Sequence, residues 1–270
     1  MSDALPPLSA SFCDGLKSIA EEAARKAGAI LQQYARSGFR IEYKNVVNLV
    51  TDADHRAEQA IVDCIKAAHP SHRIFAEERG RQIVDHSPFQ WIIDPLDGTT
   101  NFAHGYPAYC VSIGLEYEGQ CLLGVVYDPT RDELFTAVAG QGAYLNGARI
   151  HVSAVQRLDQ ALLVTGFAYD IRETPANNLD HFARFALRAQ GLRRTGTAAL
   201  DLCYVAAGRF DGFWELKLQP WDMAAGTVIL REAGGRVSNF KGGPLSIYDQ
   251  ELVASNGLIH EDMLAVLALG

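Results

Sequence analysis

The stretch Trp91-Ile92-Ile93-Asp94-Pro95-Leu96-Asp97-Gly98-Thr99-Thr100-Asn101-Phe102 runs an apolar strand pattern straight into two acids, a tight turn and two hydroxyls. Phe89 to Ile93 is aromatic and β-branched enough for a buried strand. Pro95 removes a backbone donor where that strand is expected to stop, which puts Asp94 at a strand end. Asp97 follows three residues on. Gly98 tolerates backbone geometry closed to other residues, and Thr99 suits the start of a helical turn. Both carboxylates can then face one point. Unit charges ~4 Å apart repel by about 1 kcal/mol in water and about 4 kcal/mol at the effective dielectric of a protein site. A cation turns that penalty into attraction. Hard oxygen ligands with no His or Cys among them select Mg²⁺, Mn²⁺ or Ca²⁺ over zinc. The N–H groups of Gly98 and Thr99 can hold an anion beside the metal, so the pair points to phosphate chemistry. A bare Asp-x-x-Asp-Gly is more often a turn with solvated acids; the buried strand before it and the two threonines after it weigh against that reading.

Elements able to carry these residues are visible on both sides. Residues 1–11 read as a lead-in. Leu16, Ile19, Ala23, Ile30 and Tyr34 then follow helical spacing up to Gly38. Ile41 to Lys44 is a short strand pattern. Thr51 and Asp54 come close to a capping box for a helix that carries Ala57, Ile61 and Ile65 and ends before Pro70. His72 to Glu78 is a strand opening into adjacent acids, for which a solvated pair is the plainer reading. Residues 108–117, 120–127 and 133–138 form an antiparallel meander, and Asn146-Gly147 marks another hairpin. Beyond residue 152 strands and helices alternate: a strand at 161–165, a helix over roughly 176–190, a strand at 192–194 and a helix at 197–207. A strand at 210–216 and a helix opened by Pro220-Trp221-Asp222 follow, with Asp222 in its first turn, then a strand at 252–254 and a closing helix at 259–267. The expected organisation is one domain over 12–270, with an antiparallel-sheet half at about 12–152 and an alternating α/β half at about 153–270.

At 270 residues and 48% hydrophobic content the chain can bury a large core, and its formal charge of −8 opposes nonspecific binding to nucleic acid. Its five cysteines are scattered, with no Cys-x-x-Cys pair, so neither a disulfide framework nor a zinc knuckle is indicated. They read as reduced thiols in a cytoplasm. No secretion signal and no run long enough for a membrane span is recognisable.

Glu77, Asp94, Asp97 and Asp222 are thus four acids at strand or helix ends without an obvious basic partner nearby in sequence. Here the chain resembles the inositol monophosphatase family of metal-dependent, lithium-sensitive sugar phosphatases. Residues 94–102 resemble its first signature, and Trp221-Asp222-Met223-Ala224-Ala225-Gly226 its second. Phe75-Ala76-Glu77-Glu78 and Val50-Thr51-Asp52-Ala53-Asp54 resemble two supporting motifs, all in family order. The resemblance implies an α/β fold, a five-layer α/β/α/β/α sandwich of the inositol monophosphatase and fructose-1,6-bisphosphatase type, with a site between its halves that holds two or three Mg²⁺. Glu77, Asp94 and the Leu96 carbonyl would hold one ion, and Asp94, Asp97 and Asp222 a second; a weaker third would lean on Glu77. Thr99 paired with Asp54 would orient and deprotonate the attacking water, while the Gly98 and Thr99 amides hold phosphate.

Gly196-Thr197-Ala198 resembles the family's sugar-ring loop, and Glu215 the acid that accepts hydroxyl hydrogens. A helix N-cap at Thr197 and a solvated strand end at Glu215 are the plain alternatives. Lys44 matches a lysine near the family site, although a lone Lys is more often solvated. Arg193-Arg194 could reach substrate, a dimer partner or only solvent. The expected activity is Mg²⁺-dependent hydrolysis of inositol monophosphate by a cytoplasmic enzyme, with a homodimer implied by resemblance alone. Relatives with the same metal motifs cleave fructose 1,6-bisphosphate, histidinol phosphate or 3'-phosphoadenosine 5'-phosphate; Lys217-Leu218-Gln219-Pro220 looks more like the inositol branch. A role of a different class is contact with the transcription machinery, which some bacterial relatives make, but no separate basic or apolar docking segment supports it.

Overall fold

A computed structural model describes residues 8–37, 41–43, 49–81 and 87–269. Lys44 and residues 1–7 lie outside the described residues. Apolar residues at helical spacing make α1 (Ala10–Ser37), which buries Leu16, Ala20, Ala23, Ala27 and Leu31 along one face. β1 (Ile41–Tyr43) and β2 (Leu49–Thr51) pair antiparallel and lead into α2 (Asp52–Ala68). Eight strands then build one sheet: β3 (Arg73–Ala76), β4 (Gly80–Arg81), β5 (Phe89–Asp97), β6 (Cys110–Tyr117), β7 (Gln120–Asp128), β8 (Glu133–Val138), β9 (Ala143–Leu145) and β10 (Ala148–Arg149). Their order is β10-β9-β8-β7-β6-β5-β3-β4. Among the described residues of this sheet, the β3–β5 pair alone is parallel. The turns at Glu118-Gly119 and Asn146-Gly147 hold all four residues at positive φ, between 48° and 79°, the backbone that two-residue hairpins favour.

A short α3 (Thr99–Ala103) links β5 to β6. The second sheet contains β11 (Leu162–Thr165), β12 (Gly191–Arg193), β13 (Gly212–Leu216), β14 (Arg236–Ser238) and β15 (Glu251–Ser255) in the order β12-β11-β13-β15-β14. α4 (Leu179–Ala186), α5 (Ala198–Ala206), α6 (Pro220–Glu232) and α7 (His260–Leu267) complete the chain. α1 and α2 cover one face of the large sheet, α5 and α6 fill the space between the sheets, and α4 and α7 cover the far face of the small one. That is the α/β/α/β/α layering implied by the resemblance. Among the described residues no helix is long and apolar enough to cross a membrane.

Packing at the centre depends on missing side chains. Gly114 on β6 and Gly124 on β7 face each other in the ladder. A Cβ on Gly114 would lie 2.6 Å from that of Ala224, and one on Gly124 would lie 2.9 Å from the Ala225 Cα. The backbone of α6 therefore rests almost directly on the sheet, with Asp222 in its first turn.

Several elements depart from the sequence reading, among them β2 and β4, short strands that it did not anticipate. β5 does not stop before Pro95 but continues to Asp97, because the ladder to β6 slips between Asp94 and Asp97. Within that bulge the Leu96 N–H turns to Asp94 Oδ1 at 3.0 Å, so Pro95 interrupts no ladder bond. The helix expected over 176–190 is confined to Leu179–Ala186. Asn178 precedes it with φ 69°, its side chain bonded to the Thr165 hydroxyl, the Gly166 carbonyl and the Trp214 indole, so helical backbone cannot extend upstream. β14, the three residues directly after Gly234-Gly235, was not anticipated; a strand that short shows no alternation.

Candidate active site

The bulge in β5 and the turn after it aim several groups into one cleft between the sheets. Of the residues singled out in the sequence, Glu77, Asp94, Leu96, Asp97, Gly98, Thr99, Gly196, Thr197, Ala198, Glu215 and Asp222 line this cleft of about 690 Å³. Asp54 stands behind it, buried in the first turn of α2. Thr99 Oγ1 lies 3.4 Å from Asp54 Oδ1 and 3.1 Å from the Leu96 carbonyl oxygen. Its one proton goes to one of these acceptors, and its lone pairs stay available.

Gly98 allows the turn. Its φ is 95°, and a Cβ there would come within 2.9 Å of the Ala108 carbonyl oxygen and 2.5 Å of Thr197 Cγ2. The loop from the second half thus presses directly on the motif from the first. Asn101 ties the two together, donating from Nδ2 to the carbonyls of Ala108 and Thr195 at 2.7 and 2.8 Å. Asp97 adds another tie, its Oδ2 accepting the Ala199 N–H at the start of α5 at 2.7 Å. Asp222 Oδ2 accepts from the Gln219 N–H at 2.7 Å, which fixes the carboxylate at the start of α6.

Burial dominates the electrostatics. Asp94 is 3% exposed and Asp97 8%. Burial, and then the charges of Glu77, Asp97 and Asp222, push the Asp94 carboxyl well above the usual carboxylate range. Asp97 and Asp222 are each raised to about 7, again chiefly by burial; the Ala199 N–H pulls Asp97 back, and the Asp97 charge adds to Asp222. The donor set consists of carboxylate and carbonyl oxygens alone, the chemistry that a hard divalent cation takes, and a positive charge there would offset both penalties. In kind the residues fit such an ion: Asp94, Asp97 and Asp222 each give one oxygen to a backbone N–H, which fixes the carboxylate. Among the described residues no three His, Cys, Asp or Glu side chains stand as a preformed ligand cluster, so the ion itself would draw the acids together.

In the same cleft, Glu215 sits on β13 with its carboxylate against Gly166, where any Cβ would collide with it. Burial, followed by the charges of Asp201 and Asp222, raises Glu215 well above the usual range. The Thr197 hydroxyl is buried without a partner and lines the cleft. Arg194 lines it too, whereas Arg193 is exposed and does not. The sequence reading missed Asp201, Gly166, Tyr169 and Asp170. Asp201 is 1% exposed and accepts the Thr195 hydroxyl at 2.6 Å. Asp170 pairs at 2.5 Å with Lys217, a non-glycine residue at φ 63°. Asp201 lies four residues beyond Thr197 in the same segment; an acid inside an apolar helix, LDLC, was the available signal.

The sequence profile of the inositol monophosphatase family matches residues 14–268. An inositol-1-monophosphatase of Synechocystis sp. is 48% identical over 97% of this chain and 92% of its own length. The protein called Nus factor SuhB in Escherichia coli K12 is 44% identical over 92% of this chain and 94% of its own. Among solved structures, the inositol monophosphatase of Anabaena (Nostoc) sp. superposes with a TM-score of 0.87 at 46% identity, covering 94% of this chain and 96% of that one.

Proposed function

The chain belongs to the inositol monophosphatase family and is a phosphatase, and we propose that it hydrolyses inositol monophosphate to inositol and phosphate with Mg²⁺ as cofactor. The observation that carries this reading is that Glu77, Asp94, Asp97 and Asp222 line one cleft, which Thr197 and Glu215 line with them as groups able to bind a polyol. Glu77, Asp94, the Leu96 carbonyl, Asp97 and Asp222 would hold two ions, or three with a weaker one at Glu77. Bound there, Mg²⁺ supplies charge neutralisation for the phosphoryl group and greater acidity for the attacking water.

The protein's own groups do the rest. The Thr99 hydroxyl accepts a hydrogen bond from the water and passes its proton to Asp54, which is buried within reach of it. Water oxygen bonds to phosphorus as the bond to the polyol oxygen breaks; that oxygen takes a proton from solvent water, and Asp54 returns the proton it received to solvent. The Gly98 and Thr99 amides hold the phosphoryl oxygens. Glu215, the Thr197 hydroxyl and the adjoining backbone of Gly196 and Ala198 orient the ring hydroxyls. Inhibition by Li⁺, a homodimer and a cytoplasmic location belong to the same reading. Phosphate release tests it. Inositol 1-phosphate should exceed fructose 1,6-bisphosphate, histidinol phosphate and 3'-phosphoadenosine 5'-phosphate in kcat/KM, with activity lost in EDTA. A preference for one of the other three would overturn the substrate assignment, and full activity in EDTA would overturn the cofactor.

A second reading, a binding role in transcription, is favoured by the 44% identity to a protein called a Nus factor. Retention of this chain on immobilised Nus proteins would support that role alongside catalysis.

A further inference from the structure

We propose that Glu58 is a positioning residue for the turn that carries Glu77, so that one face of α2 sets both the base pair and a metal-ligand turn. The proposal rests on the reading of Glu77 as a metal ligand. Glu58 is 1% exposed on a helix face that also buries Asp54, Ala57 and Ile61. A carboxylate there needs strong partners to offset its desolvation. It has two, both in the turn after β3. Its Oε2 accepts the Glu78 N–H at 2.9 Å, and its Oε1 faces Arg79 Nε at 2.9 Å. On the other side of the same residue, the Glu77 N–H donates to the Ile93 carbonyl of β5 at 3.1 Å. The peptide groups on both sides of Glu77 are therefore held, one by β5 and one by α2.

Asp54 and Glu58 are four residues apart, so they share one face of the helix. The first reaches Thr99 in the cleft lining, and the second holds the backbone next to Glu77, which lines the same cleft. The Arg79 guanidinium is partly exposed, which screens the ion pair. The hydrogen bond to Glu78 N–H is the buried, geometry-setting half.

The test measures Mg²⁺ affinity by calorimetry on the whole protein, alongside kcat at saturating Mg²⁺ and the melting temperature in EDTA. Glu58→Ala should weaken Mg²⁺ binding about 10- to 100-fold, the range for a lost partner behind a ligand, while kcat at saturating Mg²⁺ stays within a few-fold of wild type. Glu58→Gln keeps an oxygen for the Glu78 N–H and should recover most of the affinity. Should Glu58→Ala fail to fold, Glu58→Asp, one methylene too short to reach the turn, replaces it. A Glu58→Ala protein that loses melting temperature but binds Mg²⁺ like wild type would overturn the proposal. So would Glu58→Gln binding as weakly as Glu58→Ala. A wild type that binds no Mg²⁺ would instead bring down the metal reading of Glu77, and the proposal with it.

Discussion

Thr99 and Asp54 meet at a point that neither element supplies alone, a helix start after β5 and a helix start after β2. Thr99→Ala and Asp54→Asn should each lower kcat by about 10²- to 10⁴-fold with KM nearly unchanged, because a general base acts in the transition state. Steady-state kinetics decides, and a rise confined to KM would contradict the assignment. Glu215 calls for a different readout. Its carboxylate lies against Gly166 in the cleft, where we place it on the polyol, so Glu215→Gln should change the ratio of kcat/KM between polyol phosphates more than it lowers all of them. Equal losses on every substrate would remove Glu215 from specificity. At this scale the sequence spoke where function concentrates in short motifs, as in residues 94–102. It was silent on Asp170 and Gly166, whose significance is a contact with Lys217 or Glu215 about fifty residues away.

The element that matters most for the site is α6, because its first turn carries Asp222 and its next residues rest on bare sheet backbone. Gly124→Ala should lift the helix. The expected cost is about 1–3 kcal/mol from overpacking, together with a raised Mg²⁺ requirement as Asp222 moves off its position. Denaturant unfolding and Mg²⁺ titration of activity measure the two effects; a stable variant with normal Mg²⁺ dependence would show that α6 can move without disturbing the site. Most helices and strands were legible from period and turn residues. Those that were not had tertiary causes: the bulge that carries β5 through Pro95 depends on Leu96 N–H turning to Asp94, and the late start of α4 depends on three bonds to Asn178. Neither is encoded in a local pattern. The Gly114 and Gly124 pair looked like ordinary strand glycines until α6 was in place over them.

Over the whole molecule, buried histidines link folding to pH. His72 accepts the Trp91 indole N–H on Nδ1 at 3.1 Å, so that nitrogen carries no proton, and His260 is fully buried between Ser238 and Ser255. Burial lowers both rings from 6.5 to about 4. Between those values the unfolded chain binds protons that the folded one does not. Their stabilising contribution is therefore complete above about pH 6.5 and is lost as pH falls toward 4, on the order of 2 kcal/mol per ring. Asp97 and Asp222, raised to about 7, act in the opposite sense, so the test is a difference. His260→Asn should lose less stability than wild type between pH 7 and pH 5, and parallel stability curves would contradict that.

The same scale holds the central claim, that carboxylates from β5 and α6 converge on a cation between the two sheets. Melting of wild type and Asp97→Asn, each in EDTA and in Mg²⁺, tests it most directly. An ion bound only by the folded form adds about 2.7 kcal/mol at 100 times its dissociation constant. Asn can still accept the Ala199 N–H through its amide oxygen while removing a like charge, so the metal-free variant should melt slightly above metal-free wild type. Wild type should then gain markedly from Mg²⁺ and Asp97→Asn hardly at all. An equal gain in both proteins would contradict the site.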